Sequence, residues 1–304
     1  MTLAAIFPGQ GSQCLGMGHA LYQQFPYIKP WFQEAEEVFQ LPLRTLMFEG
    51  PEDALKPTHI AQPALFVLSM ACMEVMRHEG IEPGFAYAAG HSLGEYSAFC
   101  GFGVLSFSQT LSLIRLRCES MARAMPGGML AILGLSMHQV ESFLQENCDI
   151  ANDNTPQQVV VSGDLEGLHA MKERAEAHGA RRCVILNVSG PFHSRLMADA
   201  QKVLSDAVKD LSFHEPKIPI LTNVSALPKT DPLLLKQDLV QQITGRVLWR
   251  STQQTLQALG VSELLEIGSG RVLCGLAKQT IPNVSCTSLA TPEALWAWHE
   301  SHLG

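Results

Sequence analysis

The sequence predicts an α/β fold, a core on a parallel sheet that carries an inserted smaller unit of βαββαβ order. Three stretches carry that prediction. In Ala89-Gly90-His91-Ser92-Leu93-Gly94-Glu95-Tyr96, the apolar run Phe85 to Ala89 meets a G-x-S-x-G turn and then helix-compatible sequence to Cys100. At the N-terminus an apolar strand ends in the glycine turn Pro8-Gly9-Gln10-Gly11-Ser12-Gln13. Residues 127–190 then alternate short strand and helix patterns in an order of their own.

Taken in order, residues 2–7 read as a buried strand and about Leu15 to Gln24 as a helix. The turn between them is not a phosphate loop: G-x-G-x-x-G requires glycine at Cys14, and a Walker A loop requires lysine at Met17. It is either a plain joint or a backbone oxyanion donor that faces the serine turn. Residues 30–40 form an amphipathic helix and 41–60 a polar, proline-punctuated connection. Gln62-Pro63 then opens an apolar helix, with Pro63 at a tolerated early position and Gly80 at its C-terminal cap. Apolar residues run nearly all round it, so it is expected beside the sheet. Ser106 or Ser108 caps a helix to about Met125, which Pro126-Gly127-Gly128 stops.

Met129–Gly134, Ile150–Asn152, Gln157–Ser162 and Arg182–Val188 read as strands, and Met137–Gln145 and Leu165–Ala177 as helices. That order is the split-βαβ, ferredoxin-like pattern. The expected division is a core of 1–126 and 190–304 with a subdomain, 127–189, inserted. After the turn Gly190-Pro191-Phe192-His193-Ser194 come a helix to about Leu211, a strand Lys217–Asn223 and a proline-rich linker, 226–233. Helices at 233–244 and 249–259, a strand Glu263–Ile267 and the turn Gly268-Ser269-Gly270 lead into a further helix.

Apolar residues make up 46% and charged residues 16%, which suits a folded chain with a sizeable core. No apolar run reads as long enough to span a membrane, and the first residues lack a basic export signal, so a cytoplasmic protein is expected. The net charge of −8, with no basic run interleaved with aromatics, argues against nucleic acid. The eight cysteines are scattered without C-x-x-C, which predicts buried free thiols rather than disulfides or ligands. The eleven histidines form no H-x-x-x-H or H-E-x-x-H pattern, so no metal is expected.

G-x-S-x-G between strand and helix is the spacing of a nucleophile elbow, whose sharp turn pushes the Ser92 hydroxyl out of the sheet. A plain polar turn produces the same spacing. A serine nucleophile needs a base that titrates near neutrality. His91 is adjacent to Ser92, but neighbours across a sharp turn point apart, which makes it a pocket-lining candidate. His193 lies on a Gly-Pro turn at the seam between the two units, as a catalytic base or as a turn histidine. Arg115 has Glu119 four residues on, an ordinary solvated pair. Arg117 instead shares a face with Leu113, Ile114 and Met121, where no acid stands at helical spacing. A guanidinium there requires an anion, from elsewhere in the fold or from a substrate, unless it snorkels to solvent.

Six motifs occur in one order: 7–13 (Phe-Pro-Gly-Gln-Gly-Ser-Gln), Gln62-Pro63-Ala64, 90–97 (Gly-His-Ser-Leu-Gly-Glu-Tyr-Ser), Leu116-Arg117, 190–194 (Gly-Pro-Phe-His-Ser) and 266–270 (Glu-Ile-Gly-x-Gly). Together they closely resemble the malonyl-CoA:acyl-carrier-protein transacylases of type II fatty acid synthesis and the acyltransferase domains of polyketide synthases. The resemblance covers nearly the whole chain and implies an α/β-hydrolase-like core with a ferredoxin-like insertion. It implies Ser92 as the acyl-accepting nucleophile and His193 as its base. It also implies backbone N–H groups of Gln10 and Leu93 as the oxyanion hole, and Arg117 on the malonyl carboxylate, with Gln62 and His91 beside the substrate. The histidine's third partner would be the backbone carbonyl of Leu248, with no acid needed from Asp199. The implied reaction is a ping-pong transfer of malonyl from malonyl-CoA to the phosphopantetheine thiol of acyl carrier protein, with no permanently bound cofactor and a monomer expected. The alternatives are a free-standing acyltransferase that serves a polyketide synthase and a serine hydrolase that releases acyl groups to water. Acyl carrier proteins are acidic, so docking calls for a local basic patch, for which Lys172, Arg174, Arg181 and Arg182 are candidates.

Overall fold

A computed structural model describes residues 2–302. Their strands are β1 (Leu3–Phe7), β2 (Tyr87–Gly90), β3 (Gly128–Leu133), β4 (Cys148–Thr155), β5 (Gln158–Gly163), β6 (Arg182–Ile185), β7 (Ile220–Leu221), β8 (Pro228–Lys229), β9 (Glu263–Ile267) and β10 (Ser285–Leu289). One sheet runs β10-β9-β1-β2-β7-β8 and is parallel except for β8, which closes an edge antiparallel to β7. Parallel strands need crossover connections, and the helices that supply them cover the sheet, which is why β1 is buried along its whole length. Phe7 lies opposite Gly90, so the turns after β1 and β2 leave the sheet side by side at its carboxyl end. That end is where open α/β sheets hold ligands.

The second sheet, β4-β5-β3-β6, is antiparallel throughout. Alternation gives it two different faces. Leu130, Ile132, Val159 and Val161 pack against Leu168 and Met171 of the helix Leu165–Ala177. Met129, Ala131 and Val160 turn the other way and join the main core. The backbone of β4 is tied to the core chain where the Val247 N–H donates to Ala151 O at 2.8 Å and the Asp153 N–H donates to Val247 O at 3.0 Å.

Several local expectations hold. Ser106 caps the helix Phe107–Ala122 with a full capping box to Gln109, and Gly80, at φ 72°, ends the apolar helix. The Ile81 N–H reaches back to Met76 O at 2.8 Å, as a left-handed C-terminal cap requires.

Other expectations are corrected. The apolar helix spans Thr58–His78, so Pro63 sits inside it rather than at its start. The same helix is long and apolar enough to cross a membrane, contrary to the reading that no run is, and it is mostly buried within the fold. Residues 41–60 are not a plain connection but hold a helix, Leu43–Phe48, and a single 3-10 turn, Glu52–Leu55. Gly16 and Gly18, at φ 84° and 81°, shorten the first helix to His19–Gln24. β4 runs well past Asn152 because its polar residues find partners: Asp153 pairs with Arg250 at 2.9 Å and Asn154 with His91. The cysteines are not all free, since Cys274 and Cys286 form a disulfide between the helix Val272–Thr280 and β10. Their separation of 12 residues carried no signal, because the two are brought together only by the packing of helix on strand.

Candidate active site

The turn after β2 places Ser92 at φ 50°, a left-handed backbone that non-glycine residues rarely adopt. Its flanking glycines are there for close approach. A Cβ on Gly90 would lie 1.9 Å from the carbonyl carbon of Gly94, and one on Gly94 would lie 2.1 Å from Phe7 O. The glycine turn after β1 presses onto the elbow from the other side, where a Cβ on Gly9 would lie 2.4 Å from His91 O. Gln10 and Leu93 therefore flank Ser92 in one cavity. Among the described residues neither backbone N–H of that pair donates to a protein acceptor, and Leu93 stands at the free N-terminus of the helix Gly94–Gly101.

His193 comes to this elbow from the turn at 190–194 and is 3% exposed. Its Nε2 lies 2.7 Å from Ser92 Oγ and its Nδ1 lies 2.8 Å from the backbone carbonyl of Gln242. A carbonyl can only accept, so Nδ1 carries the proton and Nε2 is left to accept from the serine hydroxyl. The orienting carbonyl was expected from Leu248, and that assignment is corrected to Gln242. The Leu248 carbonyl is already taken by the helix it precedes, accepting from Thr252 N at 2.9 Å and Thr252 Oγ1 at 3.0 Å. Burial, and then the nearby positive charge of Arg117, push the His193 pKa down to about 3, so the imidazole is a neutral base. His91 is not the base. Its Nε2 meets Asn154 Oδ1 at 2.9 Å, its ring lies edge-on to Trp249, and burial lowers its pKa.

Arg117 is 1% exposed. Its Nη1 donates to Gln62 Oε1 at 2.7 Å, and its Nη2 donates to Ser92 Oγ at 3.1 Å and to Gln242 Oε1 at 3.3 Å. Its Nε has no partner, and among the described residues no carboxylate pairs with it. Arg115, two residues earlier, pairs with Glu119 at 2.8 Å as expected. Neutral amides thus aim the buried guanidinium at the nucleophile without cancelling its charge. Burial raises the nearby Glu95 carboxyl to about 8, so that acid is itself uncharged at neutral pH.

Ser92, His193, Arg117, Gln10, Gln62 and His91 line one cavity of about 380 Å³. Leu93 also lines it, and Met129 and Val160 of the second sheet form an apolar wall. Gln242, Asn223 and Asn154 were not singled out from the sequence; they lie at the ends of a helix and of strands whose placement no local pattern announces. Glu95 carried a signal, an acid inside an otherwise buried motif. Glu266 has a structural part, since its two oxygens accept from Leu273 N at 3.0 Å and Cys274 N at 2.8 Å and so cap the helix Val272–Thr280.

A serine hydroxyl hydrogen-bonded to a neutral imidazole, with two unengaged N–H groups beside it, suits serine-based acyl transfer. Residues 5–289 match the family described as acyl transferase domain. The chain is 39% identical over 302 residues to a malonyl CoA-acyl carrier protein transacylase of Bacillus subtilis, which covers 96% of this chain and 95% of that protein. It superposes at a TM-score of 0.94 and 40% identity on an acyl-carrier-protein-S-malonyltransferase of Bartonella henselae, over 99% of both chains. A malonyl-transacylase solved in complex with its type II PKS acyl-carrier protein is 35% identical at a TM-score of 0.94, over 99% of this chain and 100% of that one. The chain belongs to the acyl transferase family, among the relatives of the malonyl CoA-acyl carrier protein transacylases.

Proposed function

We propose that this chain transfers the malonyl group of malonyl-CoA to the phosphopantetheine thiol of an acyl carrier protein in fatty acid synthesis, through a malonyl ester of Ser92. The observation that carries the reading is Arg117, a buried cation with no carboxylate partner among the described residues, 3.1 Å from Ser92 Oγ. A planar guanidinium takes both oxygens of a carboxylate, and the malonyl group brings one to within reach of the serine. The relatives' names give the same substrate and acceptor.

His193 Nε2 takes the Ser92 proton as Oγ attacks the thioester carbonyl. The oxyanion that forms lies against the N–H groups of Gln10 and Leu93, and the Gln242 carbonyl steadies the imidazolium through Nδ1. The carbon–sulfur bond breaks and His193 returns the proton to the departing thiolate of coenzyme A. The carrier thiol then gives its proton to His193 and attacks the malonyl ester; the ester bond breaks and Ser92 recovers the proton. Arg117 holds the malonyl carboxylate through both halves. These steps use side chains and backbone groups of this protein and the arm of its partner, with no resident cofactor.

The same reading takes the two sheets as an α/β-hydrolase-like core, 1–126 with 190–304, and a ferredoxin-like unit, 127–189, whose apolar wall limits water at the ester. It places the enzyme in the cytoplasm as a monomer. Of the basic residues considered for carrier docking, Arg174, Arg181 and Arg182 are exposed, although Arg174 also donates to Phe143 O, while Lys172 is half-buried and lies 4.0 Å from Glu176.

A transfer assay with malonyl-, methylmalonyl- and acetyl-CoA and a panel of fatty acid and polyketide carrier proteins tests the proposal. Malonyl transfer to the fatty acid carrier is expected to exceed acetyl transfer by about 10⁴-fold, since acetyl leaves the buried Arg117 unpaired. Steady release of free malonate without a carrier, or equal use of acetyl, contradicts it.

A further inference from the structure

Ser92 keeps its strained backbone only because its surroundings over-determine it, since a left-handed non-glycine residue costs about 1–3 kcal/mol. One residue outside the chemistry meets it at its tightest point. Asn223, buried just beyond β7, accepts from the Ser92 N–H through Oδ1 at 2.7 Å and donates from Nδ2 to Gly90 O at 2.6 Å. Its amide therefore spans the two successive peptide groups that lead into Ser92, on either side of His91. Its own backbone is held on both sides: the N–H donates to Glu95 Oε2 at 2.6 Å and the carbonyl accepts from Leu248 N at 2.9 Å. The Ser92 carbonyl is taken separately, by Gln242 Nε2 at 2.9 Å.

We propose that Asn223 is a positioning residue for acyl transfer, fixing Ser92 in the left-handed conformation that aims Oγ at His193, and that Glu95 in turn fixes Asn223. This rests on the reading of Ser92 as nucleophile. Two consequences follow from the geometry. The Ser92 N–H is spent on Asn223, which leaves the oxyanion to the next N–H, that of Leu93. Glu95, one residue beyond the elbow's second glycine, has a buried side chain because it reaches across to the β7 end rather than out to solvent. A side chain that only filled space at position 223 would not need an acceptor and a donor aimed at successive peptides.

The test is the rate of malonyl-enzyme formation in Asn223→Ala, by rapid quench and intact mass, set beside malonyl-CoA affinity measured in a Ser92→Ala background with and without the same change. Acylation is expected to slow about 100-fold, the cost of a misplaced reacting group, while affinity changes by less than about threefold. Glu95→Ala is expected to slow acylation about tenfold, with Glu95→Gln, which keeps an acceptor for the Asn223 N–H, recovering most of the loss. That pair also serves if Asn223→Ala fails to fold. Acylation of Asn223→Ala within about threefold of wild type, a loss confined to affinity, or equal losses in the two Glu95 variants overturns the proposal. A wild-type enzyme that carries no label on Ser92 overturns the nucleophile reading instead.

Discussion

Nη2 of Arg117 lies 3.1 Å from Oγ of Ser92, and the two share a cavity in which the guanidinium's other protein partners are the amide oxygens of Gln62 and Gln242. A buried cation held by neutral groups carries a desolvation cost that an anion entering the cavity offsets. Gln242 ties the two together, accepting from Arg117 through Oε1 and donating to the Ser92 carbonyl through Nε2.

Arg117→Ala is therefore expected to lower kcat/KM for malonyl-CoA by about 10²- to 10⁴-fold, corresponding to loss of a buried charge pair of about 3–5 kcal/mol. Acetyl transfer should hold or rise. Steady-state rates with both thioesters check this, and equal losses for the two would remove the carboxylate role.

The pKa of His193 is pushed down to about 3 by burial and by Arg117. In the free enzyme the imidazole stays a base far below pH 6.5, so the acid limb of kcat/KM should lie below the ordinary histidine range. Bound malonyl offsets the Arg117 charge, so the limb of kcat should lie above that of kcat/KM. Full pH profiles of the two parameters make the comparison.

The same depressed pKa bears on stability. The unfolded histidine takes up a proton below about pH 6.5 and the folded one does not, so the stability that His193 contributes is present above that pH and drains as pH falls. Between pH 6.5 and 5 the wild type should lose about 2 kcal/mol relative to His193→Gln, as read from urea midpoints.

Glu95 carries the opposite sign. Its carboxyl is raised to about 8, chiefly by burial, so its contribution is whole below the unfolded value near 4.5 and is lost as pH rises to about 8. Over that window Glu95→Gln should gain on the wild type by an amount on the order of 4 kcal/mol in the same unfolding experiment.

A methyl group at Gly90 has no room, because the carbonyl carbon of Gly94 would stand 1.9 Å away and is backbone that cannot swing aside. Gly90→Ala should cost about 3 kcal/mol or more and abolish acylation. Gly275→Ala, where a Cβ meets nothing within 4 Å and the backbone is not left-handed, should keep its stability and activity. Thermal unfolding and malonyl transfer of the two variants check the contrast.

The sequence made the elbow legible because the requirement is local: two glycines, a strand before and a helix after. Arg117 was legible because a cation without an acid at helical spacing is visible on a single helix. His193 could be narrowed to a turn at the seam but not fixed there by spacing alone. Gln242 and Asn223 were out of reach, since each acts through a backbone group or an amide delivered from a distant element to the sheet's carboxyl end. Leu248 was misassigned for the same reason: which carbonyl in a short loop is free depends on the helix start at Trp249, whose first turn consumes that one. The Cys274–Cys286 disulfide likewise depends on how one helix lies against an edge strand. Pro63 misled because the first turn of its helix, Thr58-His59-Ile60-Ala61, looks like the end of the preceding connection.

Brief mixing of the enzyme with malonyl-CoA in the absence of carrier protein, followed by intact mass and peptide mapping, tests the central claim most directly. The wild type is predicted to gain one malonyl group on Ser92, which added carrier protein removes, and Ser92→Ala is predicted to gain none. A malonyl group on Ser92→Ala, or on any other residue of the wild type, would contradict the account.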